Sequence, residues 1–312
     1  MTPRIVVFGG RGFIGSSIVR DLGMATVAPP RTEVDLTRPD DIRRVLLPGD
    51  VVINATGYAA ATDRSTAGLA RLRRDNVVAV ETLADTAAET GAAQLIHLSS
   101  VAAMGQRAGT ALTEKDMRPP RSPYGQSKLD AETALAARAG RLPITILRPT
   151  SVFGEGRGLA AFLCRIADLP LLPLPAGGRA LVPFTYIGNI VEAVRLSIGS
   201  DACLGRTFIV GDDRSYELGD VLRSLALALG HDHARTMSVP TGLLSTVGIV
   251  EGGVRRAIGG SPLLDPIRIE TLTSSVSYST AGFRDATGYE PPHDLDDGVA
   301  RIAAWHRRRT GR

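Results

Sequence analysis

Short apolar runs recur through the first two-thirds of the chain, and segments of helical spacing separate most of them. Ile5-Val-Val-Phe8 has no polar alternation, the pattern of a strand buried on both faces. The same reading applies to Asp50-Val-Val-Ile-Asn-Ala55-Thr-Gly57, Gln94-Leu-Ile-His-Leu98, Ile144-Thr-Ile-Leu-Arg148-Pro149 and Arg206-Thr-Phe-Ile-Val210, with a shorter strand at Thr26 to Ala28. Helical spacing predicts helices over Ser16 to Leu22, Asp41 to Leu46, Asn76 to about Thr90 and Tyr124 to Ala139. Strand and helix alternate at the spacing of βαβ units, which predicts an α/β fold built on a doubly wound parallel sheet. Beyond Pro149 the pattern loosens. Gly154 to Gly158 reads as a turn and Leu159 to Ala167 as a helix. Leu169 to Gly178 reads as a Pro/Leu/Gly-rich connection, Leu218 to Leu229 as a helix, and Thr241 to Ile258 as a helix broken by glycines. The expected division is a dinucleotide-binding domain over 1–152 plus about 187–210. A smaller α/β C-terminal domain, over 153–186 and 211–312, is expected to bind substrate.

Chemistry collects at the carboxyl ends of the predicted strands, where open α/β sheets bind ligands. Gly9-Gly-Arg-Gly12-Phe-Ile-Gly15 stands at the first strand-to-helix junction, where glycines permit a tight turn and close approach of a pyrophosphate to the helix N-terminus. That is a Rossmann-type signature. The second strand leads into Pro29-Pro30-Arg31, with no carboxylate to take a ribose 2′-hydroxyl; Arg31 and Arg11 suit a 2′-phosphate instead. NADP(H) is therefore the favoured cofactor, with NAD(H) possible. Ala55-Thr-Gly57 and Ser99-Ser100 end later strands. Pro123 suits a helix entrance, so Tyr124 and Lys128 lie four residues apart on one face. A nearby cation is expected to lower the phenol's pKa and make Tyr124 a general acid/base. His97, inside its strand, reads as a core residue.

Composition narrows the alternatives. The chain has 312 residues, 44% of them hydrophobic, enough for a sizeable core. Its two cysteines, Cys164 and Cys203, form neither a disulfide framework nor a metal spacing, and free thiols in a reducing compartment are expected. Net charge is +4 with scattered arginines; the one dense run, Arg307-Arg308-Arg309, reads as solvated, so no nucleic-acid partner is expected. The start lacks a signal-peptide pattern, and Thr241 to Val250 is too short to span a bilayer. A cytoplasmic protein without a membrane partner is the expectation.

Four motifs together resemble the extended short-chain dehydrogenase/reductases, the NAD(P)-dependent nucleotide-sugar epimerase, dehydratase and ketoreductase group. They are Gly9-Gly-Arg-Gly12-Phe-Ile-Gly15, Leu98-Ser-Ser100-Val-Ala-Ala-Met-Gly105, Tyr124-Gly-Gln-Ser-Lys128 and Leu147-Arg-Pro149-Thr-Ser-Val-Phe-Gly154. The resemblance implies catalytic roles for Ser100, Tyr124 and Lys128. It places cofactor contacts on Gly9, Arg11, Gly12, Phe13, Ile14, Gly15, Arg31, Asp35, Leu36, Ala55, Thr56, Gly57, Asn76, Ser99, Tyr124, Lys128, Pro149 and Val152. Asp35 is the adenine-side acid in that scheme. Substrate contacts fall on Ser100 and Ser151, and on Arg179 or Arg268 in place of the group's usual diphosphate-gripping arginine, whose position is taken by Val182. Val101-Ala102 replace the acidic pair of the dehydratases, which argues against 4,6-dehydration. The implied activity is NADP(H)-dependent reduction of a keto group on a nucleotide-linked sugar, with Tyr124 as general acid. An NAD-dependent 4-epimerase, a reductase of non-sugar ketones and a non-catalytic dinucleotide-binding protein are the alternatives. A homodimer paired through the Asn76–Thr90 and Tyr124–Ala139 helices is also implied.

Overall fold

The structure is a computed structural model that describes residues 3–23, 26–59, 64–105, 108–156, 158–231, 235–257 and 266–311. Its centre is a six-stranded, wholly parallel sheet. In chain order the strands are β1 (Ile5–Phe8), β2 (Thr26–Val27), β3 (Val51–Asn54), β4 (Gln94–Leu98), β5 (Ile144–Pro149) and β6 (Thr207–Val210). Their spatial order is β6-β5-β4-β3-β1-β2, so the direction of winding reverses between β1 and β3. The sheet confirms the expected doubly wound Rossmann-type fold.

Side-chain alternation explains why both faces are covered. Val6, Phe8, Val52, Leu95, Ile144 and Ile146 bury against the Ala79–Glu89 and Pro123–Ala136 helices. Ile5, Val7, Val51, Ile53, Ile96 and Leu147 point the other way, against the Phe13–Leu22 and Ile187–Ser197 helices. A further apolar cluster joins the helices Leu159–Ala167, Leu218–Ala228 and Leu295–Thr310. Both cysteines are buried, Cys164 in this last cluster and Cys203 beside the sheet. Burial pushes the Cys164 thiol up to about 11.

Several elements differ from their sequence expectation. Leu171–Pro175, read as a connection, is a strand paired in parallel with Arg235–Val239. Gly109–Leu112 pairs with Val276–Tyr278, a small sheet that the sequence did not suggest. The helix expected to begin near Asn76 begins at Thr66; a single π-helical turn, Arg74–Val78, interrupts it and places Asn76 mid-way. Thr241–Ala257 runs unbroken as a helix. Its buried positions include Gly248 and Gly252, while Leu243, Val247, Ile249 and Val250 are exposed. Among the described residues no helix is long and apolar enough to cross a membrane.

Candidate active site

The first strand-to-helix turn has the geometry that its glycines require. Gly9 adopts φ +86°, and a Cβ there would lie 2.7 Å from the Ala55 carbonyl. A Cβ on Gly15 would overlap the Gly9 carbonyl oxygen. The Gly12 N–H donates to that oxygen at 2.8 Å, and the Phe13–Leu22 helix starts with no side chain capping it. Its first N–H groups therefore remain available to an anion. They open onto a cleft of about 330 Å³ lined by Phe8 to Gly12, Pro29 to Thr32, Val34 to Thr37, Ala55 to Gly57, Asp75 and Ala79. Of the expected cofactor contacts, Gly9, Arg11, Gly12, Arg31, Asp35, Leu36, Ala55, Thr56 and Gly57 line it. A cradle that added Cβ atoms would fill, beside an uncapped helix end, fits a dinucleotide.

The others sit around or beneath the cleft. Phe13 packs beside Gly154 and Gly156, and Ile14 and Val152 pack into the apolar clusters. Gly15 lies under the turn, and Pro149 ends β5, opposite Val210 of β6. Asn76 is buried; its side chain bonds both backbone groups of Tyr58, at 2.7 and 3.0 Å, and the Ser127 hydroxyl at 2.8 Å. Ser99 turns from the cleft, its hydroxyl donating to Glu132.

Charge gathers at the rim. The Asp75 carboxylate, buried on the π-helical turn, meets Arg31 at 2.9 Å, Arg74 at 3.2 Å and Arg71 at 3.4 Å. Asp35 accepts from the Thr37 N–H and hydroxyl and pairs with Arg74 at 2.6 Å; the Thr37 backbone bond is the main cause that holds its carboxyl below the usual range. Three guanidiniums around two carboxylates leave the rim positive, and Arg31 remains 68% exposed. The sequence reading missed Asp75, although it directly precedes Asn76.

Ser100, Tyr124 and Lys128 come together at the β4 end of the sheet. Ser100 follows β4 in extended conformation and caps a short 3₁₀ turn, its hydroxyl accepting from the Ala102 N–H at 3.1 Å. The Ser100 hydroxyl also acts on the Tyr124 phenol, favouring its ionised form. Ser122 caps the Pro123–Ala136 helix by accepting from the Gly125 N–H, so Tyr124 stands in the first turn and Lys128 in the second. Buried Lys128 donates from Nζ to the Leu98 carbonyl at 2.9 Å. A Cβ on Gly57, at the cleft edge, would lie 3.3 Å from both this Nζ and Asn76 Oδ1, so Lys128 stands where the cleft ends.

Electrostatics correct one expectation. The Tyr124 phenol is pushed above its ordinary value by burial, which outweighs the opposing effect of the Ser100 hydroxyl; the Lys128 cation does not bring it down. Burial lowers Lys128 to about 8, opposed by the Glu132 carboxylate. Tyr124 thus holds its proton at neutral pH, the state a general acid needs. His97 is buried, as expected, with Asn54 Nδ2 3.2 Å from its Nδ1; burial first and the Lys128 charge second hold it well below its usual range.

The expected substrate residues are not gathered. Ser151 is half-buried and its N–H donates to the Pro183 carbonyl at 3.0 Å. Arg179 is exposed after the Ala176–Gly178 turn, and the Arg268 side chain lies outside the described residues. Val182 is buried and paired with Tyr216, a core position. Among the described residues no group of three or more His, Cys, Asp or Glu could hold a metal.

A glycine cradle before an uncapped helix and a Ser–Tyr–Lys group at the end of β4, two strands away, define a dinucleotide-dependent α/β protein. Residues 5–211 match the profile of the NAD dependent epimerase/dehydratase family. The chain belongs to that family and is an NAD(P)-dependent enzyme of the extended short-chain dehydrogenase/reductase type. It is 25% identical to the UDP-glucose 4-epimerase of Vibrio cholerae over 97% of this chain and 95% of that one. With the dTDP-4-dehydrorhamnose reductase of Mycolicibacterium smegmatis the identity is 30%, over 62% of this chain and 60% of that one. The solved structure of RMD from Pseudomonas aeruginosa, complexed with NADPH, has the same fold, with TM-score 0.77 and 19% identity over 98% of this chain and 100% of that one.

Proposed function

We propose that this chain is an NADP(H)-dependent reductase acting on a keto group of a nucleotide-linked sugar. The observation that carries the reading is that Tyr124 and Lys128 stand one helical turn apart at the cleft's end, with Ser100 following β4 beside them. The cofactor, when bound, supplies the hydride. Ser100 orients the substrate carbonyl through its hydroxyl, and neutral Tyr124 gives its proton to the carbonyl oxygen. Lys128 holds the nicotinamide ribose. Gly9, Gly12 and the helix N-terminus carry the pyrophosphate, and Asp35 lies toward the adenine side. Arg11 and Arg31 at a positive rim favour a 2′-phosphate. Residues 1–152 with about 187–210 form the cofactor part, and the rest forms the substrate part, with Ser151, Arg179 and Arg268 as its polar candidates. The protein acts as a homodimer.

The test is NADPH consumption with a dTDP-linked 4-keto sugar. Turnover is expected in the wild type, and Tyr124→Phe should lower kcat by about 10²–10⁴-fold while NADPH binding stays within twofold. Unchanged turnover in that variant would remove the assignment. A second reading, an NAD-dependent nucleotide-sugar 4-epimerase, is favoured by the near full-length similarity to an epimerase. Purification with stoichiometric tightly held NAD, rather than loosely held NADPH, would select it.

A further inference from the structure

Beneath the Ser–Tyr–Lys group lies an ion pair that the chemistry above does not use. Glu132 stands one helical turn beyond Lys128 and is only 6% exposed. Arg148 of β5 grips its carboxylate from two nitrogens, Nε to Oε1 at 3.0 Å and Nη2 to Oε2 at 2.6 Å, and Ser99 donates to Oε1 from the end of β4. Such a pair is weak evidence of a stabilising role, because apolar residues of similar volume commonly do as well at buried positions. Its placement is more informative. Two strands and the Tyr124–Lys128 helix are tied to one carboxylate. The cluster of Lys128, Arg148 and Glu132 buries two cations against one anion, so Lys128 has this carboxylate as its nearby counter-charge. Among the described residues, the other titratable groups near Lys128 are Tyr124, one turn earlier on its own helix, and His97 from β4. Arg148 reaches it only through Glu132.

We propose that Glu132 is a positioning residue of the active site, held by Arg148 and Ser99 so that a fixed negative charge stands one helical turn from the Lys128 ammonium. The inference concerns the same site as the proposed reductase and rests on that reading for its catalytic meaning. A charged Lys128 is what holds the ribose, so the amine must keep its proton at working pH although burial works against it. A nearby carboxylate favours the protonated amine. Arg148 and Ser99 use up the carboxylate's remaining acceptor positions and stop it from swinging to another donor.

The chain has two lysines, Lys115 and Lys128, which permits a direct test without cofactor or substrate. Full-length protein labelled with ε-¹³C-lysine gives two signals to follow from pH 6.5 to 10.5. The wild type is expected to show Lys128 titrating near 8, well below the ordinary lysine range. Glu132→Gln alone would leave a buried arginine unpaired and threaten the fold. The principal variant is therefore the double change Glu132→Gln with Arg148→Gln, and Glu132→Asp, which keeps the charge but withdraws it, is the second. Expected midpoints for Lys128 fall in the order wild type, Glu132→Asp, double variant. The full difference should be about one pH unit, a tenfold change in the amine's protonation constant. A Lys128 midpoint that is the same in every variant that folds would overturn the proposal. Failure of the reductase reading would appear separately, as wild-type protein with this Lys128 titration but no NADPH binding.

Discussion

Arg31 shows how much one side chain at the rim can decide. Its guanidinium is mostly exposed yet tied at one end to Asp75, which leaves further donors open to the cleft. A phosphate bound there gains charge-assisted hydrogen bonds that a plain ribose hydroxyl does not. Arg31→Met is expected to weaken NADPH binding about tenfold, roughly 1.4 kcal/mol, and to leave NADH binding within twofold. Fluorescence titration with both cofactors measures it, and equal losses for the two would remove the 2′-phosphate assignment. At this scale the sequence was legible wherever chemistry follows local spacing. Tyr124 and Lys128 share a helix face, and Gly9, Gly12 and Gly15 share one turn. Asp75 and the Glu132–Arg148 pair were not legible, because each acquires meaning from a partner that only the fold brings near. Arg31 is 44 residues from Asp75, and Arg148 is 16 from Glu132. The expected lowering of the Tyr124 pKa failed for a related reason: spacing reports the nearby cation but not the loss of water around the phenol.

Elements buried on both sides announce themselves most clearly. β1, β3, β4, β5 and β6 were readable as apolar runs because each contributes side chains to both faces of the sheet. Leu171–Pro175 was not, since Pro173 and Pro175 suggest a connection, yet its neighbour Arg235–Val239 pairs with it in parallel at the margin of the structure. Glycines misled in the Thr241–Ala257 helix, where the buried Gly248 and Gly252 mark a packing face and not a break. The Gly9 turn is the element with least tolerance. Gly9→Ala would combine a left-handed φ with a Cβ pressed on the Ala55 backbone, so lower thermal stability is expected together with loss of NADPH binding. Calorimetry and titration on the same sample check both; a variant with wild-type values would show that the turn relaxes at no cost.

Across the whole molecule, the depth of the sheet's core sets a dependence on acidity. His97 sits in the central strand β4, its imidazole held neutral by burial, with Nε2 lacking a hydrogen-bond partner. Its folded pKa lies below the unfolded value of about 6.5, so its contribution to stability is present above that pH and is lost as pH falls through and below it. The slope is at most about 1.4 kcal/mol per pH unit. Urea unfolding from pH 7.5 to 5 is expected to show stability declining with acid, and His97→Gln should flatten that decline. An unaltered slope in the variant would mean that other groups produce it.

Cys164 and Cys203 make the folding of the chain observable in two places at once. One sulfur is enclosed by the helices of the later segment and the other lies against the sheet, so a thiol reagent reaches each only when its own surroundings open. Labelling followed by peptide mass analysis would therefore time the loosening of the two halves independently. A cysteine newly placed on the outer surface, at Val247 for example, would react first and accept a fluorophore without either native thiol having to be removed.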